Sequence, residues 1–257
     1  MEPLILASQP AEAVLLLTLS RPEAANALTS ELTKQLIDKL KNTPSAMRCV
    51  VLAGSGKHFC AGADLKERRA MDEAAWKAQH ALFRGARDAL LEAPVPVIAA
   101  VHGAAMGGGM ELALACDFIY AADDARFALT EATLGIMPGM GGTQTLARAV
   151  GSRRARELLL SGQPFSAIQA YEWGMVNRLC AAETLHKEAI ETAMIIAANA
   201  PLSIKAIRSA LREGLEMPMD QALEAELRHY NRLLSTADRY EGMAAWNEKR
   251  KPVFKGE

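Results

Sequence analysis

Apolar segments of two different spacings alternate along roughly the first 180 residues, and this alternation limits the fold more than any other feature. Short aliphatic runs predict buried strands, whereas apolar residues repeated every three to four positions predict helices. The predicted strands cover 13–19, 49–53, 97–101, 118–121 and 175–179, and the predicted helices cover 28–40, 72–92 and 107–116. Strands that alternate with helices are typical of an α/β domain with a mainly parallel sheet, which is the fold class we predict.

The C-terminal part of the chain has a helical pattern and no strand signal from residue 202 to residue 250. We therefore predict an α/β core over residues 1–200 and a helical region over residues 201–257. Apolar residues of this region lie at helical spacing on faces that one chain leaves partly uncovered: Ala222, Leu223, Leu227, Leu233 and Leu234. Uncovered apolar faces of this kind predict self-association.

Charge and cysteine content argue against several classes of partner. The 29 basic and 30 acidic residues give a formal net charge of −1, so nucleic acid is not expected as the main partner. The four cysteines lie far apart and form neither a CxxC pair nor a zinc-ligand pattern. This pattern indicates a reducing, intracellular environment and predicts no metal site.

The N-terminal residues resemble neither a secretory signal nor a transit peptide. We therefore expect a cytoplasmic protein, with a processed mitochondrial chain as the alternative. The uncharged run 93–110 reaches the minimum length for a membrane span, but it contains two prolines and four glycines. A buried strand that continues into a glycine-rich turn explains this run better, so no membrane partner is predicted.

Several common enzyme signatures are missing from the sequence. Residues 54–58 (GSGKH) lack both the first glycine of a phosphate-binding loop and the hydroxyl residue after its lysine. The sequence contains no dinucleotide fingerprint of the form G-x-G-x-x-G, no G-x-S-x-G and no H-E-x-x-H. These absences disfavour P-loop phosphoryl transfer, Rossmann-type hydride transfer and a typical serine hydrolase.

Three glycine-rich loops remain, each next to a predicted strand: 60–64 (CAGAD), 102–109 (HGAAMGGG) and 137–142 (MPGMGG). Small residues let a ligand approach the backbone, and the second loop opens a helix whose free N–H groups favour negative charge on a bound oxygen. Glu111 and Glu131 follow in apolar surroundings, where an unpaired carboxylate is costly. From these residues alone, tight turns and solvated or salt-bridged glutamates explain the pattern as well as a carbonyl-binding enzyme does.

Four groups of motifs resemble the enoyl-CoA hydratase/isomerase (crotonase) family. They are 59–67 (FCAGADLKE), 106–113 (MGGGMELA), 130–132 (TEA) and 138–144 (PGMGGTQ). The resemblance extends from 19–22 (LSRP) to 250–256 (RKPVFKG), which is nearly the whole chain. It implies a spiral of strand-strand-helix repeats and a helical C-terminal region that forms a trimer or a dimer of trimers.

The same resemblance implies the binding residues. The backbone N–H groups of Ala63 and Gly108 would form an oxyanion hole for the thioester oxygen. The acyl-CoA substrate, including its coenzyme A part, would contact these residues: Arg21, Ala24, Ala61, Asp64, Leu65, Lys66, Gly107, Pro138, Gly139, Phe254 and Lys255. Phe254 and Lys255 would come from a neighbouring subunit. No tightly bound cofactor is expected, and His58 and His102 are expected to be structural.

Both glutamates match the pair found in hydratases of this family, so the sequence predicts hydration of the 2,3 double bond of an enoyl-CoA. Two carboxyl groups in a dry pocket can divide the work, because repulsion and desolvation keep one protonated. Glu111 is expected to activate water, and Glu131 is expected to protonate Cα. The pair is expected to titrate as a coupled system. The alternative within the family is a Δ3,Δ2-enoyl-CoA isomerase or a racemase-like enzyme that uses the same enolate.

The acyl group is less clearly indicated. The runs 59–67 and 111–117 look closest to the methylglutaconyl-CoA hydratase branch, some members of which have been linked to RNA binding. A non-catalytic acyl-CoA- or RNA-binding scaffold is therefore a further alternative, supported only by three lysines of the first helix: Lys34, Lys39 and Lys41. Leu129 and Thr130 precede Glu131 where many straight-chain hydratases have a Gln-Pro pair. Flexible methionines are expected to line the acyl pocket: Met106, Met137 and Met140.

Overall fold

The computed structural model describes residues 3–257, which form nine strands and eleven α-helices. The strands are β1 (Ile5–Ala11), β2 (Val14–Leu19), β3 (Cys49–Gly54), β4 (Val97–Val101), β5 (Ala104–Met106), β6 (Phe118–Ala122), β7 (Arg126–Ala128), β8 (Phe165–Ser166) and β9 (Arg178–Cys180). The helices are α1 (Ser30–Lys41), α2 (Leu65–Arg68), α3 (Glu73–Leu91), α4 (Gly108–Ala115), α5 (Gly142–Val150), α6 (Ser152–Ser161), α7 (Ala167–Glu172), α8 (Leu185–Ala197), α9 (Pro201–Gly214), α10 (Met219–Asn231) and α11 (Ala237–Glu248).

Six strands form the larger sheet in the order β1-β2-β3-β4-β6-β9, and only the β1–β2 pair is antiparallel. Every residue of β3 and β4 is buried, as expected for central strands of a parallel sheet that is covered on both faces. The smaller sheet has the order β5-β7-β8, in which β5 and β7 are parallel. The prediction of an α/β fold with a mainly parallel sheet is confirmed.

The strand predicted at 175–179 is wrong in position, since β9 begins three residues later. The N–H groups of Met175 and Val176 donate to the carbonyl of Ala170, at 2.9 and 3.2 Å, and so close the end of α7 instead of joining the sheet. No strand is predicted for β1, β5 or β8. Strand β1 is an edge strand with a mostly exposed surface, and the other two have three residues or fewer.

Helix α1 and helix α3 each begin at a side-chain cap. Thr29 caps α1 by accepting a hydrogen bond from the Leu32 N–H at 3.2 Å, and Asp72 caps α3 through the Ala75 N–H at 2.8 Å. Helix α3 packs against both α1 and α4. It therefore covers the segment in which the glycine-rich loops meet.

Two loops join the smaller sheet by backbone pairing. Cys60 pairs with Ala105 of β5 through hydrogen bonds of 3.0 Å (Cys60 N–H to Ala104 carbonyl) and 2.9 Å (Met106 N–H to Cys60 carbonyl). The N–H of Gly107 donates to the carbonyl of Ala128, the last residue of β7. Because these segments run parallel, the residues that follow them emerge at one edge, as they do at ligand sites of open α/β sheets.

The C-terminal region contains helices α9, α10 and α11, and α9 starts at Pro201. Large apolar side chains of this region are exposed, for example Leu215 at 77% and Trp246 at 85%. Within residues 3–257, no single helix has both the length and the apolar character needed to cross a membrane. Only α8 and α9 taken together, with a 105° bend between them, meet those two criteria.

Candidate active site

Two backbone N–H groups without acceptors meet where the first and second glycine-rich loops converge. They belong to Ala63 and to Gly108, the first residue of α4, and neither donates to any acceptor in residues 3–257. An ideal Cβ on Gly62 would lie 3.3 Å from the Gly108 nitrogen, and one on Gly108 would lie 3.9 Å from the Ala63 nitrogen. The N-terminus of α4 also favours negative charge. The arrangement is therefore suited to hold an oxygen that becomes anionic.

A glycine is required directly before each of these two donors. Gly62 and Gly107 adopt φ angles of +89° and +49°, which residues with a Cβ rarely adopt. A Cβ on Gly62 would also lie only 2.7 Å from the carbonyl oxygen of Met106. The absence of side chains thus lets the two loops approach closely enough for their N–H groups to converge.

Glu111 lies in the first turn of α4 and is 3% exposed. Its Oε1 accepts hydrogen bonds from the N–H groups of Met140 (2.7 Å) and Gly142 (2.8 Å) in the third glycine-rich loop. Burial raises the pKa of Glu111, although these two N–H groups lower it in part. The carboxyl group is therefore fixed in orientation through a single oxygen.

Glu131 follows β7 in a short 3₁₀ turn and is 8% exposed. Its Oε2 is buried and has no hydrogen-bond partner in the described residues. Burial, together with the nearby charge of Glu111, raises the pKa of Glu131 to about 7. Oε1 lies 3.1 Å from the position that a Cβ of Gly107 would occupy. A carboxyl group that is partly protonated at neutral pH thus lies next to the two converging N–H groups.

These groups line one pocket of about 540 Å³. Nine of the predicted site residues line it: Ala61, Ala63, Leu65, Gly107, Gly108, Glu111, Glu131, Pro138 and Gly139. The structure therefore brings together residues from all three glycine-rich loops. Among residues 3–257, no group of three or more His, Cys, Asp and Glu side chains is placed to hold a metal ion.

Six predicted coenzyme A residues do not line this pocket: Arg21, Ala24, Asp64, Lys66, Phe254 and Lys255. Arg21 and Asp64 form an ion pair of 3.1 Å, and Asp64 caps α2 through the N–H of Lys66 at 2.9 Å. Burial raises the pKa of Asp64, but hydrogen bonds from α2 and the Arg21 guanidinium outweigh it and keep the pKa below its ordinary value. Arg21 and Asp64 thus fix the loop that leads to Ala63, and their contact with coenzyme A stays a prediction.

Phe254 and Lys255 follow α11 and pack back against it, outside the lining of the pocket described above. The Phe254 ring would be 3.5 Å from a Cβ on Gly242, and the Lys255 N–H donates to Asp238 Oδ1 at 2.7 Å. The residues after α11 are thereby fixed to that helix. Their role in a neighbouring subunit's site stays a prediction.

Two of the three methionines predicted for the acyl pocket line this pocket, and the third does not. Met137 and Met140 line the pocket, whereas Met106 does not, because its backbone belongs to β5 and faces Gly62. His58 and His102 also lie outside the lining and bond to backbone: His58 Nδ1 accepts from the Ala104 N–H at 3.2 Å, and His102 Nε2 lies 3.0 Å from the Gly56 carbonyl.

Eight further lining residues are not predicted as site residues: Gly62, Arg68, Trp76, His80, Phe83, Thr130, Leu134 and Ile136. Trp76, His80 and Phe83 belong to α3, whose amphipathic pattern predicts a helix but not what its apolar face covers. His80 Nε2 lies 2.9 Å from the carbonyl of Gly139 and so connects α3 to the third loop. Arg68 carries the only permanent positive charge among the lining residues.

Replacement of Glu131 by Gln is expected to change how stability depends on pH. The pKa of this carboxyl rises from 4.5 to about 7 on folding, so the folded state binds more protons and wild-type stability falls as pH rises between these values. The Gln variant lacks this loss. Between pH 4.5 and pH 8, the free energy of unfolding of the Gln variant should rise by up to about 3 kcal/mol relative to that of wild type.

Calorimetric unfolding of both proteins from pH 4.5 to pH 8 measures this difference. Glu157→Gln, which removes an exposed carboxylate of α6, is the matched control. A difference between wild type and Glu131→Gln that stays constant over this range would contradict the raised pKa.

Comparisons with a family model and with known proteins point to the same family. The family model described as enoyl-CoA hydratase/isomerase matches residues 9–257. The 2,3-dehydroadipyl-CoA hydratase of Escherichia coli (strain K12) is 42% identical over 245 residues, with 95% of each chain covered. The mitochondrial enoyl-CoA hydratase of Pongo abelii is 40% identical over 93% of this chain and 83% of that protein.

A solved structure shows the same likeness in three dimensions. The enoyl-CoA hydratase from Bacillus anthracis superposes with a TM-score of 0.97 at 40% identity, over 99% of this chain and 100% of that one. The fold is thus shared over nearly the whole length of both chains. This chain belongs to the enoyl-CoA hydratase/isomerase family.

Proposed function

We propose that this protein hydrates the 2,3 double bond of an enoyl-CoA thioester, and does so reversibly. The observation that carries the proposal is the presence of two buried carboxyl groups, Glu111 and Glu131, in one pocket with the free N–H groups of Ala63 and Gly108. Hydration needs a base for water, an acid for Cα and a stabiliser for the thioester oxygen. These four groups can supply all three.

In the proposed reaction, the thioester oxygen accepts hydrogen bonds from the N–H groups of Ala63 and Gly108. Glu111, held at Oε1 by two backbone donors, binds water at its other oxygen and removes a proton as the water oxygen adds to Cβ. Glu131 then supplies the proton that Cα gains. Its pKa of about 7 keeps a substantial fraction protonated at neutral pH. The next cycle requires Glu111 to lose its proton and Glu131 to regain one.

Loss of the conjugated enoyl absorbance tests the proposal directly. Purified protein mixed with crotonyl-CoA or with methylglutaconyl-CoA should lower this absorbance as the hydroxyacyl-CoA forms. Unchanged absorbance with both thioesters, together with turnover of a 3-enoyl-CoA, would overturn the hydratase and support the isomerase. The isomerase needs only one carboxyl group, and the unpartnered Glu131 Oε2 is the group suited to it.

We also propose that coenzyme A lies along the loop that contains Ala61 and Leu65. It would also contact Arg21, Ala24, Asp64 and Lys66. Ala61 and Leu65 are exposed and line the mouth of the pocket. Coenzyme A enters as part of the substrate, and the proposal includes no tightly bound cofactor.

A reducing, cytoplasmic location is supported by the four cysteines, which are free and buried.

We expect the chain to associate as a trimer or as a dimer of trimers through the C-terminal region. Leu223 and Leu227 of α10 are 56% and 50% exposed, and Leu215, between α9 and α10, is more exposed still. Exposed apolar surface of this extent is typical of an interface. Light scattering should therefore give three or six times the chain mass of 27.7 kDa.

A double replacement, Leu223→Glu with Leu227→Glu, should shift the mass toward that of one chain. Leu160→Glu, in α6, is the control, because Leu160 is 80% exposed but lies outside the C-terminal region. A wild-type protein that is a stable monomer at micromolar concentration would contradict the prediction.

A further inference from the structure

His80 of α3 lines the pocket and is hydrogen-bonded to the third glycine-rich loop, 137–142. Its Nε2 lies 2.9 Å from the carbonyl oxygen of Gly139. A carbonyl oxygen only accepts, so Nε2 carries the proton of this hydrogen bond. The imidazole therefore connects the loop to a helix from a distant part of the chain.

The backbone of residues 137–140 makes few other hydrogen bonds. Among residues 3–257, it forms only two: His80 donates to the Gly139 carbonyl, and the Met140 N–H donates to Glu111 Oε1 at 2.7 Å. One of these two partners is the carboxyl group that acts as the base in the proposed reaction. The hydrogen bond from His80 is thus the only one that holds this segment independently of Glu111.

Gly139 has no side chain at the position where the imidazole packs. An ideal Cβ on Gly139 would lie 2.3 Å from His80 Nε2, and its three nearest atoms all belong to His80. The φ angle of Gly139 is not positive, so its backbone conformation is open to other residues. The position of the imidazole, and not the backbone, therefore excludes a side chain here.

His80 is also close enough to Glu111 to affect its charge. Burial raises the pKa of Glu111, whereas the N–H groups of the third loop and the charge of a protonated His80 lower it in part. Because Met140 and Gly142 both donate to Glu111 Oε1, a shift of the loop would also turn the carboxyl group. A general base works only when its oxygen is correctly placed relative to the water.

We infer that His80 is a positioning residue for hydration, because its hydrogen bond to Gly139 holds the third glycine-rich loop in the place that orients Glu111. This inference rests on the proposed hydratase function and adds a residue to it. His80 acts through the loop and not on the reacting atoms. Its loss should impair the addition of water at Cβ and spare proton exchange at Cα, which depends on Glu131 and the two oxyanion donors.

The test measures two rates in each variant: kcat for hydration of crotonyl-CoA, and Cα proton exchange of butyryl-CoA in deuterated water. His80→Leu keeps much of the side-chain volume but lacks the donor. It should lower kcat about 10- to 100-fold, the range from loss of one hydrogen bond to a misplaced base. Cα exchange, and KM for crotonyl-CoA, should change much less.

Two further variants separate the hydrogen bond from a general effect on folding. His80→Gln, whose side-chain amide can donate to the Gly139 carbonyl, should restore most of the hydration rate. Arg84→Leu is the matched control, since Arg84 is an exposed residue of α3 that does not line the pocket, and both rates should equal those of wild type. The inference would be overturned if His80→Leu lowered both rates equally or neither, or if His80→Gln hydrated no faster than His80→Leu.

Replacement of Gly139 by Ala tests the same contact from the loop. The added Cβ would push the imidazole aside, so Gly139→Ala should lower kcat about as much as His80→Ala does. In the double variant the space of the imidazole is empty, and the loss should be close to that of either single variant. Losses that multiply would show that Gly139 and His80 act separately and would overturn the inference.

Amide hydrogen exchange gives a readout without catalysis. Mass spectrometry should show that the segment 137–144 exchanges faster in His80→Leu than in wild type, and at nearly the wild-type rate in His80→Gln. If wild type hydrates no enoyl thioester but shows this pattern, the proposed reaction is wrong and the role of His80 in holding the loop is supported. Unchanged exchange in His80→Leu would overturn that role.

Discussion

Replacement of Glu131 by Gln is expected to lower kcat for hydration by about 100-fold or more, because the proton donor for Cα is lost. Replacement of Glu111 by Gln should cost a similar factor, since the neutral amide activates water poorly. Both substitutions preserve size, and both carboxyl groups are already buried, so the pocket should keep its shape. Affinity for the acyl-CoA should change much less than kcat.

The double variant distinguishes one catalytic unit from two independent groups. Because both carboxyl groups act in a single addition, their joint loss should be far less damaging than the product of the single losses. Glu157→Gln, which removes an exposed carboxylate, should hydrate at the wild-type rate. If Glu111→Gln abolishes hydration while proton exchange at Cα continues through Glu131, the proposed division of work is supported.

The single variants also have a result that would reject the assignment. A Glu111→Gln protein that hydrates at nearly the wild-type rate would show that Glu111 only fixes the loop at Met140 and Gly142. The protein would then be better described as an isomerase with one carboxyl group. In wild type, kcat/KM should fall as pH rises through about 7, since Glu131 of the free enzyme must be protonated to act as an acid.

The fold could be predicted from the sequence largely because its central elements carry strong local patterns. Strand β4 is an apolar run between a proline pair and a glycine, and its predicted bounds, 97–101, agree with the structure. Strand β9 shows the limit of this reasoning. Met175 and Val176 are buried and β-like in composition, but their N–H groups close a helix end. Burial alone does not reveal which partner a backbone group will take.

The site shows the same limit at larger sequence separation. Glu111 and Glu131 stand 20 positions apart, and spacing alone gives no reason to pair them. They reach one pocket because α4 follows β5 and the turn of Glu131 follows the parallel strand β7. The family resemblance supplied this pairing, whereas the hydrogen bond between His80 and Gly139 joins a helix to a loop 59 positions away. No local pattern encodes this contact, so only the structure shows it.

Replacement of Gly109 by Ala is expected to lower kcat for hydration by about 100- to 1000-fold, the usual cost of losing one oxyanion donor. Gly109 lies in the first turn of α4, where alanine suits the backbone better than glycine. A Cβ at this position, however, would lie 2.3 Å from the Cys60 carbonyl oxygen and 2.7 Å from the Cys60 Cβ. Backbone cannot rotate away as a side chain does, so the two loops must separate.

This separation moves the two oxyanion donors relative to each other, because Cys60 leads to Ala63 and Gly109 follows Gly108. Gly85→Ala in α3 is the matched control: its Cβ would meet only Ile37 Cδ1 at 3.4 Å, an ordinary contact. That variant should keep activity and gain stability. Circular dichroism and thermal unfolding would establish that Gly109→Ala is folded before kcat is measured. A folded Gly109→Ala protein with a kcat close to that of wild type would show that hydration does not depend on the register between these loops, and the oxyanion hole assigned to Ala63 and Gly108 would have to be abandoned.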